Sequence, residues 1–254
     1  MAVSIKRKFR ECVSTIPGGK KLVWLIDSLL FRVRRGVSKP EDIFSLYYRE
    51  NAWGDPESVS GRGSTIENTE NIRKELPVLL RKLGVRCMLD APCGDFNWFR
   101  LVELPEGVRY LGGDIVEPMI VENQRKYGNA LTSFSVINVI EDKLPDVDLW
   151  LCRDALNHLS NRDILKTLRN LLASNIRYFL VSTDPLCSRN EDIPTGSCRR
   201  LNLELPPFNF CKPVLEIDEI RQGALAGKLC LWERETLVQC LAGNRAMRSV
   251  TRAE

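Results

Sequence analysis

The sequence predicts an α/β fold, a Rossmann-like, doubly wound and mostly parallel sheet, and two stretches carry the prediction. Val85–Trp98 opens as a short apolar run ending on Asp90, the pattern of a strand covered on both faces. Pro92 and Gly94 then force a tight turn, and Asp95 stands where it would cap a helix opening at Phe96. Tyr110–Asp114 ends a second short strand on a carboxylate, 20 positions past Gly94. Such spacing suits a ligand with a ribose: the turn offers bare backbone N–H groups, and the second carboxylate accepts the ribose hydroxyls. No G-x-G-x-x-G is present, and a pyrophosphate would meet Pro92 and Phe96, so a ribose without phosphates fits this corner better.

The remaining elements follow in order. From Asn71 to Leu83, Ile72, Leu76, Leu79, Leu80 and Leu83 share one helical face, with Pro77 expected to kink or split the helix. Pro118 near the start and Gly128 past the end bracket a helix over Met119–Tyr127. Ser133–Ile137 reads as strand three, and Glu141–Pro145 is too short for a helix, so strand four, Val147–Arg153, follows almost directly. Ser160 with Asp163 at N3 starts a second marked helix, its buried stripe being Ile164, Leu165, Leu168, Leu171 and Leu172. Tyr178–Thr183 is strand five, and Arg199–Leu203 and Leu229–Trp232 read as two late strands.

Bulk properties narrow the class. At 254 residues, 44% hydrophobic and 28% charged, the chain can bury a full core, and one domain plus an appendage is the natural division. The division falls into a basic helical extension over residues 1–45 and a main domain over 46–254. No apolar run reaches membrane-span length. Nine cysteines without a C-x-x-C pair fit neither a disulfide framework nor a zinc site, which predicts reduced thiols, a cytoplasmic protein and no metal. Of the net charge of +4, residues 1–39 contribute +8, so the remainder is acidic at −4. Within the basic segment Leu22–Val33 is apolar apart from Asp27 and Ser28. It suits an amphipathic helix in peripheral contact with an anionic membrane surface, a helix docked on the body, or a dimer arm. An acid-balanced body without a basic stripe interleaved with aromatics argues against a nucleic-acid partner.

Three further stretches hold polar residues placed for chemistry. Asp148–Ser160 leaves strand four at the carboxyl edge of the sheet, where open α/β folds bind ligands. Its His158 is the only histidine, with a near-neutral pKa suited to taking a proton from a hydroxyl. Asp154 can orient it or act itself; alternatively both residues simply fix the strand-to-helix turn. Arg153 is placed to line a bound ligand or neutralise an acidic group on it, and Cys152 reads as core. The Gly/Ser-rich loop Trp53–Ser64 contains Arg62 and Ser64, followed by Thr65, groups able to bind a carboxylate. Asn190–Phe210 carries Arg199, Arg200 and Asn202, able to hold a phosphate, carboxylate or sugar hydroxyls, or to form a solvated loop.

Residues Asp90–Trp98 resemble motif I of the class I S-adenosylmethionine-dependent methyltransferases, normally Asp/Glu-x-Gly-x-Gly-x-Gly. Asp90 and Gly94 match, while Pro92 and Phe96 replace the flanking glycines. A bacterial subgroup carrying Asp-Ala-Pro-Cys-Gly-Asp-Phe-Asn-Trp is closer, and the resemblance runs from about Trp53 to Leu237. It implies a seven-stranded sheet ending on an antiparallel pair, and S-adenosyl-L-methionine as cofactor. The cofactor would be gripped by the turn itself, from Asp90, Ala91, Pro92 and Cys93 to Gly94, Asp95 and Phe96. Asp90 would meet the methionyl ammonium, the Cys93–Gly94 backbone would line the methionine and ribose, and Asp114, with Ile115 beside it, would take the ribose hydroxyls. Asn138 stands where the family reads adenine, and Arg153 would lie along the cofactor. Arg62, Ser64, Arg199, Arg200 and Asn202 would form the substrate wall, with His158 and Asp154 catalytic. The expected activity is O-methylation of a small-molecule or glycan acceptor. An RNA or protein methyltransferase and a non-catalytic cofactor-binding module are the alternatives, and a nicotinamide oxidoreductase is the poorest fit.

Overall fold

The structure, a computed structural model, describes residues 39–221, 224–244 and 246–247. The expected basic helix over Leu22–Val33 and its membrane contact lie outside the described residues. The described part opens with α1 (Pro40–Arg49), which straddles the expected boundary at residue 45 and buries Ile43, Leu46 and Tyr47. The Tyr47 hydroxyl donates to the Gly196 carbonyl at 3.0 Å, fastening this helix to the body. Next come α2 (Glu70–Leu83), β1 (Cys87–Asp90), β2 (Arg109–Asp114), α3 (Glu117–Tyr127), β3 (Thr132–Val136) and β4 (Leu149–Cys152). The series ends with α4 (Asn161–Ala173), β5 (Tyr178–Thr183), β6 (Leu215–Arg221), β7 (Ala224–Glu233) and α5 (Arg234–Leu241).

The seven strands form one sheet in the order β3-β2-β1-β4-β5-β7-β6. β1 to β5 pair in parallel, and β7 runs antiparallel to both β5 and β6, so the sheet is mixed. The central strands β1, β4 and β5 are covered on both faces, which explains their apolar runs, whereas the edge strand β3 buries only Phe134. Along β4, Trp150 and Cys152 join one core cluster, with α4 and α5, while Leu149 and Leu151 join the other, with α2. The chain moves outward from β1 to β3 and then returns to β4 beside β1. That reversal opens a crevice at the carboxyl ends of β1 and β4. In register Asp90 lies opposite Gly112 and Leu151, so it and Asp114 both stand on this edge.

Several local expectations need correction. No helix opens at Phe96; the residue has φ +59, and only a short 3-10 turn, Phe99–Leu101, follows. Its ring fills an aromatic cluster with Phe99, Tyr110, Tyr127 and Phe134, at centroid distances of 5.0 to 5.7 Å. Arg199–Leu203 is not a strand, because β7 already pairs with β5 on one side and with β6 on the other. Pro77 does not split α2; it sits buried within one continuous helix. The Ser160 cap forms as expected, its Oγ accepting from Asp163 N–H at 3.1 Å.

Candidate functional site

A cavity of about 350 Å³ occupies the crevice, with Asp90, Gly94 and Asp114 on its wall. Both carboxylates are buried, at 2% and 5% exposure. Burial raises Asp90 to about 7, against the Tyr110 hydroxyl, which donates to Oδ2 at 2.8 Å. Burial likewise raises Asp114 to about 6, opposed by the N–H groups of Val116 at 3.0 Å and Gly94 at 3.1 Å. A cationic or hydroxyl-rich ligand would supply the partners that water otherwise gives a carboxylate. Gly94 has φ +58, and a Cβ there would lie 2.2 Å from Ser60 Oγ, so no side chain fits between the turn and the loop above it.

That loop, residues 57–64, roofs the cavity and is held at both ends. Asp95, expected among the cofactor-binding groups, grips its first half instead of the cavity. The carboxylate accepts from Ser58 Oγ at 2.9 Å and Val59 N–H at 2.9 Å, and Asp95 N–H donates to Ser60 Oγ at 3.0 Å. Arg153 holds the second half: its Nη2 donates to the Gly63 carbonyl at 2.8 Å, and its guanidinium lies 5.3 Å from the Trp98 ring centroid. The Arg153 charge is answered by Glu219, reached by Nε at 2.7 Å, the two side chains being 4% and 2% exposed. Arg221 pairs with Asp154 and lies 3.4 Å from Glu219, completing a chain of two guanidiniums and two carboxylates. Gly63 is packed against this chain, since a Cβ there would lie 2.7 Å from Asp154 Oδ2.

Asp154 and His158 come to the same cavity but are not hydrogen-bonded to each other. Burial raises Asp154, yet the Arg153 and Arg221 guanidiniums outweigh it and hold the carboxyl below its ordinary value. Asp154 therefore serves Arg221, not His158. The imidazole is oriented instead by the Ser197 carbonyl, 2.9 Å from Nδ1. A carbonyl only accepts, so Nδ1 carries the proton and Nε2 keeps its lone pair. Burial lowers the His158 pKa, which favours this neutral form. Nε2 lies 3.4 Å from Asn157 Nδ2, and the Trp53 ring stands 4.7 Å from the imidazole.

The other expected site residues divide. Pro92, Cys93, Ile115, Asn138, Arg62 and Ser64 line the cavity. Asn138 Oδ1 accepts from Ile140 N–H at 3.0 Å and keeps its second lone pair. Ala91 and Phe96 face the core, and the Ala91 carbonyl accepts from Trp150 Nε1 at 2.8 Å. Arg199 is a buried brace: its Nη1 donates to the Leu159 carbonyl at 2.6 Å and its Nη2 to Asn161 Oδ1 at 3.1 Å. Arg200 pairs with Asp184, and Asn202 is spent on Cys187, Asn190 and Glu204, outside the cavity. Sequence reasoning missed Glu219 and Arg221. Their signal was the alternation Leu215, Ile217, Glu219, Arg221, which puts two charges on the inward face of a strand. Among the described residues no three His, Cys, Asp or Glu side chains gather as for a metal, and no helix is long and apolar enough to cross a membrane.

No family's sequence profile and no curated protein sequence matches the chain. Solved structures do. A magnesium protoporphyrin IX methyltransferase from Synechocystis PCC 6803 with bound SAM superposes at TM-score 0.54 and 14% identity, over 78% of this chain and 98% of that one. PigF with SAH superposes at TM-score 0.54 and 16% identity, over 83% and 69%. Human N-acetylserotonin methyltransferase with SAM gives TM-score 0.51 and 14% identity, over 84% and 67%. The chain thus has the class I fold that these S-adenosylmethionine-dependent methyltransferases share.

Proposed function

We propose that the protein is an S-adenosylmethionine-dependent methyltransferase acting on an oxygen of a small molecule or sugar unit. One observation carries the reading: two buried carboxylates, from the tips of adjacent strands, converge on one cavity beneath a loop held at both ends. The lining suits the cofactor's parts. Asp90 would face the methionyl ammonium, the Cys93–Gly94 backbone would run beside the methionine and ribose, Asp114 would accept from the ribose hydroxyls, and Asn138 would meet the adenine. The cofactor supplies a methyl group on a sulfonium, with its leaving group built in. The protein's work is therefore to orient, to exclude water and to move one proton. Loop 57–64 covers one side of the cavity and limits the water that reaches it. His158 takes the proton of the acceptor hydroxyl at Nε2, while the Ser197 carbonyl keeps the ring in the tautomer in which Nε2 is the acceptor, the incoming hydroxyl displacing the long contact from Asn157 Nδ2. Asp154 and Arg153 act as positioning residues that fix the loop.

Titration calorimetry with S-adenosylhomocysteine tests the cofactor half of the proposal, and absence of heat together with absence of any thermal shift defeats it. Incubation with methyl-labelled S-adenosylmethionine and extracts of small molecules or glycans, read by mass spectrometry for a gain of about 14 daltons, tests the transfer.

A further inference from the structure

Helix α1 does more than border the crevice. Its Phe44 and Tyr48, with Trp53 just past its end, line the cavity that also holds His158. Tyr47 of the same helix is buried, at 4% exposure, and its hydroxyl donates to the Gly196 carbonyl at 3.0 Å, 149 positions along the chain. The Tyr47 ring stands edge-on to Trp53 at 5.2 Å, and the Trp53 ring lies 4.7 Å from the imidazole. One side chain thus touches both supports of His158: the turn that accepts from its Nδ1, and the indole against its ring.

That turn is built around Gly196. Ser197 N–H donates to the Pro194 carbonyl at 3.0 Å, and Gly196 takes φ +90, a left-handed value natural to glycine in a turn. Thr195, Gly196 and Ser197 are all buried. The turn meets His158 twice. Gly196 N–H donates to the His158 carbonyl at 2.8 Å, and the His158 Nδ1–H donates to the Ser197 carbonyl at 2.9 Å. The Gly196–Ser197 peptide is held on its N–H side by Pro194 and on its carbonyl side by Tyr47. It directly precedes the peptide whose oxygen faces Nδ1. Glycine lets a peptide unit rotate more freely than any other residue, and a buried carbonyl needs a donor, so the Tyr47 hydroxyl aims the Ser197 carbonyl at the ring.

The aim of that carbonyl decides the chemistry of the ring. A neutral imidazole carries one proton, and Nε2 has a lone pair only when the proton is on Nδ1. The surroundings of Nε2 do not settle the choice. Asn157 Nδ2 lies 3.4 Å away, while Asn157 Oδ1 has no hydrogen-bond partner among the described residues. A half-turn of that amide would bring its oxygen to Nε2 and favour the opposite tautomer. The Ser197 carbonyl, which only accepts, is the contact that selects.

We propose that Tyr47 is a positioning residue for His158: through the Gly196–Ser197 turn it keeps the imidazole protonated at Nδ1 and leaves the Nε2 lone pair for an incoming hydroxyl. Helix α1 then belongs to the reaction site and is not a separable appendage. The proposal rests on the methyltransferase reading for the use made of the lone pair, whereas the tautomer is a property of the chain without ligand.

The test uses the fact that the chain has a single histidine, so a long-range proton–nitrogen correlation spectrum of imidazole groups contains one ring. It is recorded on the full chain at about pH 8, where the neutral ring is populated. The parent should show Nδ1 protonated and Nε2 bare. Tyr47→Phe keeps the ring against Trp53 and removes only the hydroxyl. It should lower the ratio of the Nδ1–H to the Nε2–H tautomer by about three- to tenfold, the factor an ordinary hydrogen bond sets. Replacing Tyr47 by 4-aminophenylalanine restores a donor and should return the ratio to the parent value. Should Tyr47→Phe fold poorly, replacing Tyr47 by 4-methylphenylalanine fills the space of the hydroxyl without a donor and repeats the test. Ile43→Val loosens the same helix at a buried position away from the turn and should leave the spectrum unchanged. A parent ring protonated at Nε2, donor-free variants with the parent spectrum, or an equal change in Ile43→Val overturns the proposal. Failure of the parent chain to bind S-adenosylhomocysteine defeats the methyltransferase reading instead, and the tautomer ratios then judge Tyr47 alone.

Discussion

Glu219→Gln probes the charge chain beneath the roof loop. In the folded protein Glu219 lies 2.7 Å from Arg153 Nε, and both side chains are almost fully buried, at 2% and 4% exposure. Removing the carboxylate charge leaves the Arg153 guanidinium in the interior with the Gly63 carbonyl at 2.8 Å and Asp154 at 3.8 Å as its remaining oxygen partners. Breaking a buried pair from one side costs about 3–5 kcal/mol, because the other charge is left without compensation. Glutamine still offers one oxygen to Arg153 Nε, so the lower end, about 3 kcal/mol, is expected. With a urea m-value of about 3 kcal/mol/M, the unfolding midpoint should fall by about 1 M. Pairing Glu219→Gln with Arg153→Met removes both charges and should cost less than the sum of the single changes by about 2 kcal/mol. A midpoint within about 0.2 M of the parent, or strictly additive single changes, refutes the reasoning.

Three more outcomes follow from the same geometry. Asp90 titrates at about 7 in the folded chain against 3.8 ordinarily. Its stabilising contribution is therefore complete below pH 3.8 and lost as pH rises through about 7. Without ligand, denaturation free energy should decline by up to roughly 1.4 kcal/mol per pH unit across that window, and Asp90→Asn should flatten the profile. Binding of a cationic nucleoside needs the ionised carboxylate, so calorimetry in buffers of different ionisation enthalpy should show proton release near pH 6 that vanishes near pH 8. Asp114→Asn should weaken S-adenosylhomocysteine binding by about 10- to 100-fold, the loss of a charged hydrogen-bond acceptor, and an unchanged affinity removes Asp114 from the clasp. His158→Gln should lower turnover with nucleoside affinity retained, and equal loss of both would make the ring a structural support.

Legibility in the sequence followed chain distance. The carboxylate at the tip of β1, its counterpart on β2, the Ser160 cap and the whole of β5 were readable because each rests on turn chemistry or periodicity within a few residues. Phe96 misled because its φ of +59 turns the ring away from the crevice into an aromatic cluster, a tertiary preference that overrides the capping pattern at Asp95. Asp95 accepts locally only from Asn97 N–H at 3.2 Å; its other donors, the Val59 N–H and the Ser58 and Ser60 hydroxyls, come from about 35 positions earlier. Arg199, Arg200 and Asn202 carried the right chemistry for a ligand wall, yet only Arg199 and Arg200 reach a cavity, and both are largely engaged with the protein itself. The partner of Arg153 was invisible locally because it arrives from β6, and Ile220, exposed at 41%, obscured the alternation that would have placed Glu219 inward.

The 66 residues separating Arg153 from Glu219 also order events in time. During synthesis the parallel half of the sheet emerges first, with its arginine already committed to the interior face of the crevice. Its counter-ion is supplied only once the terminal hairpin has been made and has zipped onto β5. Until then the arginine that ties the roof at Gly63 lacks its nearest carboxylate, so a nascent chain stopped before residue 215 holds the two ligand-facing carboxylates beneath a roof whose tie carries a poorly compensated charge.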